Sequence, residues 1–207
     1  MIEQSHTPRN ISKATIRCEQ RDGHILAVKD YSGRTGLMKR YGRLTLKNEL
    51  RAYLRLRGIV GIPVCFGLRT PDVLELQYIN AVPLSRMKPG AVAESVFDRL
   101  QEIVATMHAR GVANTDIHRS NVLVAENGDV YLVDFAHALI ARCADRPGIL
   151  VRLGMELDRY ACARIRARYL QQPAPAPAGL FGLLYRGGSL LKKTLKGIKR
   201  IVRMRSG

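Results

Sequence analysis

A chain of 207 residues, 46% apolar and 25% charged, is long enough for one ordinary domain or a small two-lobed one and is globular rather than disordered. Its four cysteines, at 18, 65, 143 and 162, show neither a C-x-x-C pair nor a metal-finger spacing, so the chain is expected in a reducing, cytoplasmic setting. The formal charge of +17 is lopsided: no acid follows Asp158 while twelve Lys and Arg do, leaving +5 for residues 1–158. Such a tail calls for an acidic partner, whether membrane surface, phosphorylated lipid or nucleic acid. The opening MIEQSHTPRN lacks the apolar core of a signal peptide, and no apolar run approaches the roughly 18 residues of a membrane span.

In chain order, residues 11–19 and 24–31 are strand-like, with a turn at Arg21-Asp22-Gly23. The segment from Ser32 to Arg43 is glycine-dotted and basic. A helix follows over KNELRAYLRLR, with Leu46, Leu50, Tyr53, Leu54 and Leu56 as its apolar face and Gly58 as its stop. Residues 73–78 alternate as a strand. The helix expected over 91–110 gathers Val96, Phe97, Leu100, Val104 and Met107 on one side, and Gly111 ends it. The apolar runs NVLVA and VYLVDF flank Asn127-Gly128, a strong hairpin signal. A further helix is expected over 154–170. PAPAPA at 173–178 is a stiff linker, and Ser189 to Arg205 is an amphipathic basic helix with Leu191, Leu195, Ile198 and Val202 on one stripe.

The hairpin carries the chemistry. Asp116 is followed five residues later by Asn121, and Asp134 comes thirteen residues after that. Antiparallel pairing between them brings Asn121, entering, and Asp134, leaving, beside one another, so both can reach one magnesium ion. Asp116, on the preceding loop, is then free to face a substrate hydroxyl. This is the residue set that phosphoryl transfer needs.

The spacing resembles the protein-kinase pattern of catalytic Asp, metal-binding Asn and DFG Asp. The D-x-H-x-x-N form, with His118 in its middle, is more similar to bacterial sugar and small-molecule kinases of that superfamily. Most similar are the lipopolysaccharide-core kinases of the Kdo-kinase and WaaP type, with RIO-like kinases as near relatives. The resemblance implies an α+β, two-lobed kinase-like fold with a small lobe at 1–78, a trimmed second lobe at 79–172, and a linker and tail at 173–207. It implies ATP and Mg2+ as cofactors, Asp116 as catalytic base, and Asn121 and Asp134 as metal ligands. Lys29, in LAVKDY, would reach the phosphates and be held by Glu49, twenty residues on. Ala27 and Leu123 would border the adenine, and Gln77 to Ile79 would supply the hinge that meets its edge. His108 would pack under the catalytic loop, and Asp158 would anchor that loop or be an exposed helix acid.

Three departures stand out. Asn114 occupies the usual His position, and Ala136 replaces the Gly after Asp134-Phe135. A G-x-G-x-x-G loop is absent, so either the Arg21–Gly23 turn is a minimal phosphate cover or the basic segment 32–43 assists. The implied activity is transfer of the γ-phosphoryl group of ATP to a hydroxyl of a lipopolysaccharide-core sugar, by an enzyme resting through its tail on the inner face of the cytoplasmic membrane. The alternatives are a RIO-like protein kinase whose tail meets RNA, and a pseudokinase scaffold.

Overall fold

The computed structural model describes residues 5–6, 14–21, 23–176 and 182. Five antiparallel strands form the first sheet: β1 Ser5–His6, β2 Thr15–Arg21, β3 His24–Asp30, β4 Cys65–Thr70 and β5 Val73–Gln77, in the order β1-β2-β3-β5-β4. Side chains alternate between faces along a strand. Thus Leu26 and Val28, buried with Val73, share one face of the sheet with Arg17, Glu19 and Glu75. Ion pairs knit that face together, with Arg69 joining Glu19 to Glu75 and Arg21 also pairing with Glu75. The opposite face carries Ala27 and Lys29.

Helix α1, Gly36–Arg55, connects β3 to β4 and begins well before the predicted start. The glycine-dotted basic segment is therefore mostly its first two turns rather than a loop over phosphates, and Lys39 and Arg43 are engaged with Asp72. Gly42 is a packing residue: a Cβ there would lie 2.4 Å from the Tyr31 ring. The buried stripe runs through Leu46, Glu49, Tyr53 and Leu56, a helical period from which Leu54 falls away. Leu54 is 51% exposed, which corrects its expected place on the apolar face.

Helices α2, Glu94–Ala109, and α3, Ile149–Tyr169, make the other half. All five residues expected on the inner face of α2 are buried, and Phe97 meets the Tyr169 ring at 5.9 Å. The Tyr169 hydroxyl donates to the Leu84 carbonyl. Between the helices lie short strands: β6 Val82–Pro83, β7 Val112–Ala113, β8 Val122–Val124, β9 Val130–Leu132 and β10 Leu139–Ile140. They pair as β6-β8-β9 and β10-β7. One apolar core runs from Leu74 and Leu76 through Tyr53 and Phe135 to Leu100 and Tyr169.

The expected hairpin is β8–β9, with Val122 opposite Leu132. Its turn is built differently from a two-residue Asn-Gly turn, because Asn127 keeps a negative φ. The Gly128 N–H reaches the Ala125 carbonyl, Ala125 and Asp129 pair beyond it, and Gly128 takes the left-handed position at φ 81°. Residues 172–176 carry no regular structure. The rest of the linker and the Ser189–Arg205 helix lie outside the described residues. Among the described residues, no helix is long and apolar enough to cross a membrane.

Candidate active site

Lys29 leaves the sheet one residue before the end of β3 and enters the core edge, where its ammonium lies 2.6 Å from Glu49 Oε1 and 3.1 Å from Asp134 Oδ1. Its side chain is 13% exposed and that of Glu49 1%. Burial alone would lower the pKa of Lys29, but the negative charges of Glu49 and Asp134 outweigh it and hold the pKa above the ordinary lysine value. The same ammonium governs Asp134. Burial pushes that carboxyl up, yet the attraction and hydrogen bond from Lys29 leave its pKa below the ordinary aspartate value. Glu49 also accepts the Phe135 N–H at 3.3 Å, so α1 holds the Asp134-Phe135 step as well as the lysine.

Asp134 adopts φ 68°, and Thr115, just before Asp116, φ 65°. Left-handed backbone at a non-glycine residue costs on the order of 1–3 kcal/mol and persists only where neighbours enforce it. Asn114 and Asp158 are those neighbours. Asn114, fully buried, donates from Nδ2 to the Asp134 carbonyl at 2.9 Å and accepts the Asp116 N–H on Oδ1 at 3.0 Å. Asp158 accepts the N–H groups of Asn114 and Thr115 at 2.8 and 2.7 Å, and His108 Nε2 lies 3.0 Å from it. Asp158 is fully buried in the middle of α3, which removes the exposed-acid reading.

The Asp116 carboxylate is open, with its side chain 47% exposed and His118 Nε2 3.9 Å away. Its carbonyl accepts Asn121 Nδ2 at 3.1 Å, which fixes the Asn121 amide and leaves that side chain's oxygen without a donor among the described residues. Asn121 N–H bonds the His118 carbonyl, and the Asn121 carbonyl takes the Val133 N–H. The loop and both ends of the hairpin are thereby tied into one unit. The sequence-predicted residues Lys29, Glu49 and Asp134 are in direct contact, and Asp116 and Asn121 form a second pair.

The border residues fare unevenly. Ala27 stands on the Lys29 face of β3 opposite Leu76, and Leu123 pairs with Pro83 and Tyr131 in the hairpin sheet. Gln77 is spent: its N–H donates to the Val64 carbonyl at 2.7 Å, and its side-chain oxygen accepts Val64 N–H at 3.1 Å. Tyr78 N–H goes to Ile25. Of the three hinge candidates, Ile79 alone keeps an N–H without a backbone partner among the described residues. The Arg21–Gly23 turn is excluded as a phosphate cover by register. Ile16 opposes Lys29 and Arg21 opposes His24, so the turn lies about 20 Å along the hairpin from the lysine.

Some residues of the site carried no sequence signal. Asn48, on α1, donates to the carbonyls of Ala136 and Ala138 at 3.1 and 3.0 Å, and Arg55 to that of Ala141 at 2.8 Å. Thr115 Oγ1 donates to the His137 carbonyl. These contacts staple the strap 136–142 across the site. Tyr53 packs edge-on against Phe135 at 5.0 Å.

Magnesium takes hard oxygen donors, one or two of them carboxylates, and keeps waters and phosphate oxygens for its remaining positions. The residues present suit it. Asp134 has one carboxylate oxygen beyond the Lys29 contact and a lowered pKa, and the amide oxygen of Asn121 is uncommitted. Among the described residues, no group of three or more His, Cys, Asp or Glu could hold a metal by itself.

This architecture is a protein-kinase-like fold. Among solved structures it is similar to the Rio2 kinase of Chaetomium thermophilum in its ADP/Mg2+-phosphoaspartate complex, with TM-score 0.64 and 14% identity over 86% of this chain and 58% of that one. Among curated proteins, 150 residues are 33% identical to a probable SapB synthase of Streptomyces coelicolor, covering 58% of this chain and 16% of that protein. Another 31% identity, over 112 residues, is shared with CBL-interacting protein kinase 12 of Oryza sativa subsp. japonica, covering 51% of this chain and 21% of the relative. The chain thus spans about a fifth or less of these curated relatives. No family model matches it.

Proposed function

We propose that the chain is an ATP- and magnesium-dependent phosphotransferase acting on a hydroxyl. The carrying observation is the buried Lys29 held between Glu49 and Asp134 while the Asp116 carboxylate stays open nearby. In this reading the sheet with α1 is the small lobe and residues 79–172 the second, with the nucleotide between them. Lys29, kept protonated, positions the phosphates. Asp116 orients the acceptor hydroxyl and takes its proton, while Asn114 and Asp158 hold the loop that carries it. Bound at Asn121 and Asp134, magnesium would neutralise charge on the phosphates during transfer. The intact charge set speaks against a scaffold role.

The acceptor we favour is a lipopolysaccharide-core sugar, a reading that rests on the D-x-H-x-x-N pattern and on the basic tail, which would bring the enzyme to an anionic membrane. A RIO-like protein kinase is the second reading, and the Rio2 likeness supports it. The test is γ-labelled ATP offered to the purified chain with core oligosaccharide, with protein acceptors and with none. Label in the sugar supports the first reading, label in protein the second, and no magnesium-dependent turnover refutes both. Asp134→Ala is expected to abolish turnover with little change in unfolding midpoint. Asp116→Asn is expected to slow transfer by ~10²- to 10⁴-fold while calorimetry shows ATP binding unchanged.

A further inference from the structure

The strap 136–142 covers only part of α1. Asn48 and Arg55, which hold it, continue toward the N-terminus of the helix as one stripe through Leu44, Tyr41 and Leu37, spaced at helical intervals. That upper half is open: Leu37 is 80% exposed and Leu44 61%, with Met38 and Tyr41 exposed beside them. From Leu37 to Asn48 the stripe is about 16 Å long. Along one flank stand Arg40, Lys47 and Arg51, exposed and without partners among the described residues. The acid of this helix, Glu49, is buried against Lys29, and Asp72 is occupied by Lys39 and Arg43 on another side. Four large apolar side chains beside three unopposed cations ask for an occupant that is both oily and anionic.

We propose that the upper half of α1 faces an anionic lipid bilayer and seats the mouth of the site at its surface. The polar flank would meet headgroup phosphates while Leu37, Tyr41 and Leu44 enter the acyl boundary. A nucleic acid would satisfy the cations but leave the leucines in water, since only Tyr41 offers a ring for stacking. The surface belongs to the described fold and is independent of the tail, and it puts Asn48, two residues from the Asp134 step through Ala136, within a turn of the lipid. It deepens the membrane part of the reading above and stands or falls apart from nucleotide turnover.

The chain has no tryptophan, so Tyr41→Trp gives a single reporter in the full-length protein. With vesicles of phosphatidylcholine and phosphatidylglycerol, its emission should move to the blue and be quenched by brominated acyl chains; with phosphatidylcholine alone it should not. Arg40→Gln, Lys47→Gln and Arg51→Gln, each added to the reporter, should weaken binding roughly fivefold apiece. Leu37→Gln with Leu44→Gln should abolish the blue shift while the unfolding midpoint stays put. Sedimentation with vesicles while Trp emission at 41 is unmoved would mean that another surface binds, and the proposal fails. It fails equally if polyuridylate or an acidic peptide shifts the emission and vesicles do not. Loss of ATP turnover without loss of the shift would refute the enzymatic reading alone.

Discussion

Of the carboxylates buried among the described residues, Glu49 and Asp158 are the most completely enclosed, and they are satisfied in opposite ways. Glu49, on α1, is matched by a cation, Lys29, which it shares with Asp134. Asp158, on α3, is matched by the neutral N–H groups of Asn114 and Thr115 together with His108. A cation-matched carboxylate at the edge of a site transmits every change in local charge, and burial raises its pKa against the pull of Lys29. A carboxylate wrapped by backbone N–H groups fixes chain direction and little else. The first answers to charge; the second holds the loop in place.

The sharpest break in that contrast is Asp158→Ala, which orphans two buried N–H groups and lets Thr115 relax. Urea unfolding should show a loss of about 3–5 kcal/mol, since each buried donor left unpaired costs about 1–3 kcal/mol. Glu49→Gln should do the reverse. It keeps the shape and loses one charge-assisted bond of about 1.5–3 kcal/mol, so turnover should fall about 10- to 100-fold while stability falls by less than in Asp158→Ala. If Glu49→Gln unfolds the chain as readily as Asp158→Ala does, the contrast is wrong.

A smaller effect tests the shared cation. Asp134 titrates below its ordinary value, so the stability it contributes is present above about pH 4 and is lost as pH falls through its lowered folded value. Lys29→Met removes the cause, and the Asp134 carboxyl carbon, followed by NMR, should titrate at higher pH than in the parent. An unmoved titration would show that Lys29 does not govern it. Least of all should come from Arg166→Ala, which breaks exposed pairs with Asp98 and Glu94. About 0–1 kcal/mol is expected there, although its contacts look as close as those of Lys29.

What could be read from the chain in advance was what local spacing encodes. The β8–β9 hairpin, the inner face of α2 and the grouping of Asp116, Asn121 and Asp134 depend on residues near each other in sequence, where periodicity and turn chemistry act. The Lys29–Glu49 contact needed a family pattern, because nothing local links a strand lysine to a glutamate twenty residues on. Asn114 was legible only as a departure; its bonds to Asp134 and Asp116 and its complete burial arise from long-range packing. The early start of α1 was hidden by glycine. Gly36 and Gly42 look like loop residues, and only the Tyr31 ring lying against Gly42 explains a glycine inside that helix. The break between strands at Arg21–Gly23 was legible, but its role as a phosphate cover was misassigned, because its distance from Lys29 is set by strand register, which composition does not reveal.

The strap after Asp134 is gripped through its carbonyl oxygens. Asn114 takes that of Asp134, Asn48 those of Ala136 and Ala138, Thr115 that of His137, and Arg55 that of Ala141. Every peptide unit offers such an oxygen whatever side chain it bears. The grip therefore places few demands on residue identity along 136–142, and exposed positions there, such as His137 and Leu139, can be exchanged without loosening the frame. A scaffold fastened by its main chain is open to retooling: libraries at those positions should yield folded proteins at high frequency, and sequence changes can accumulate there while Lys29, Glu49 and Asp134 stay fixed.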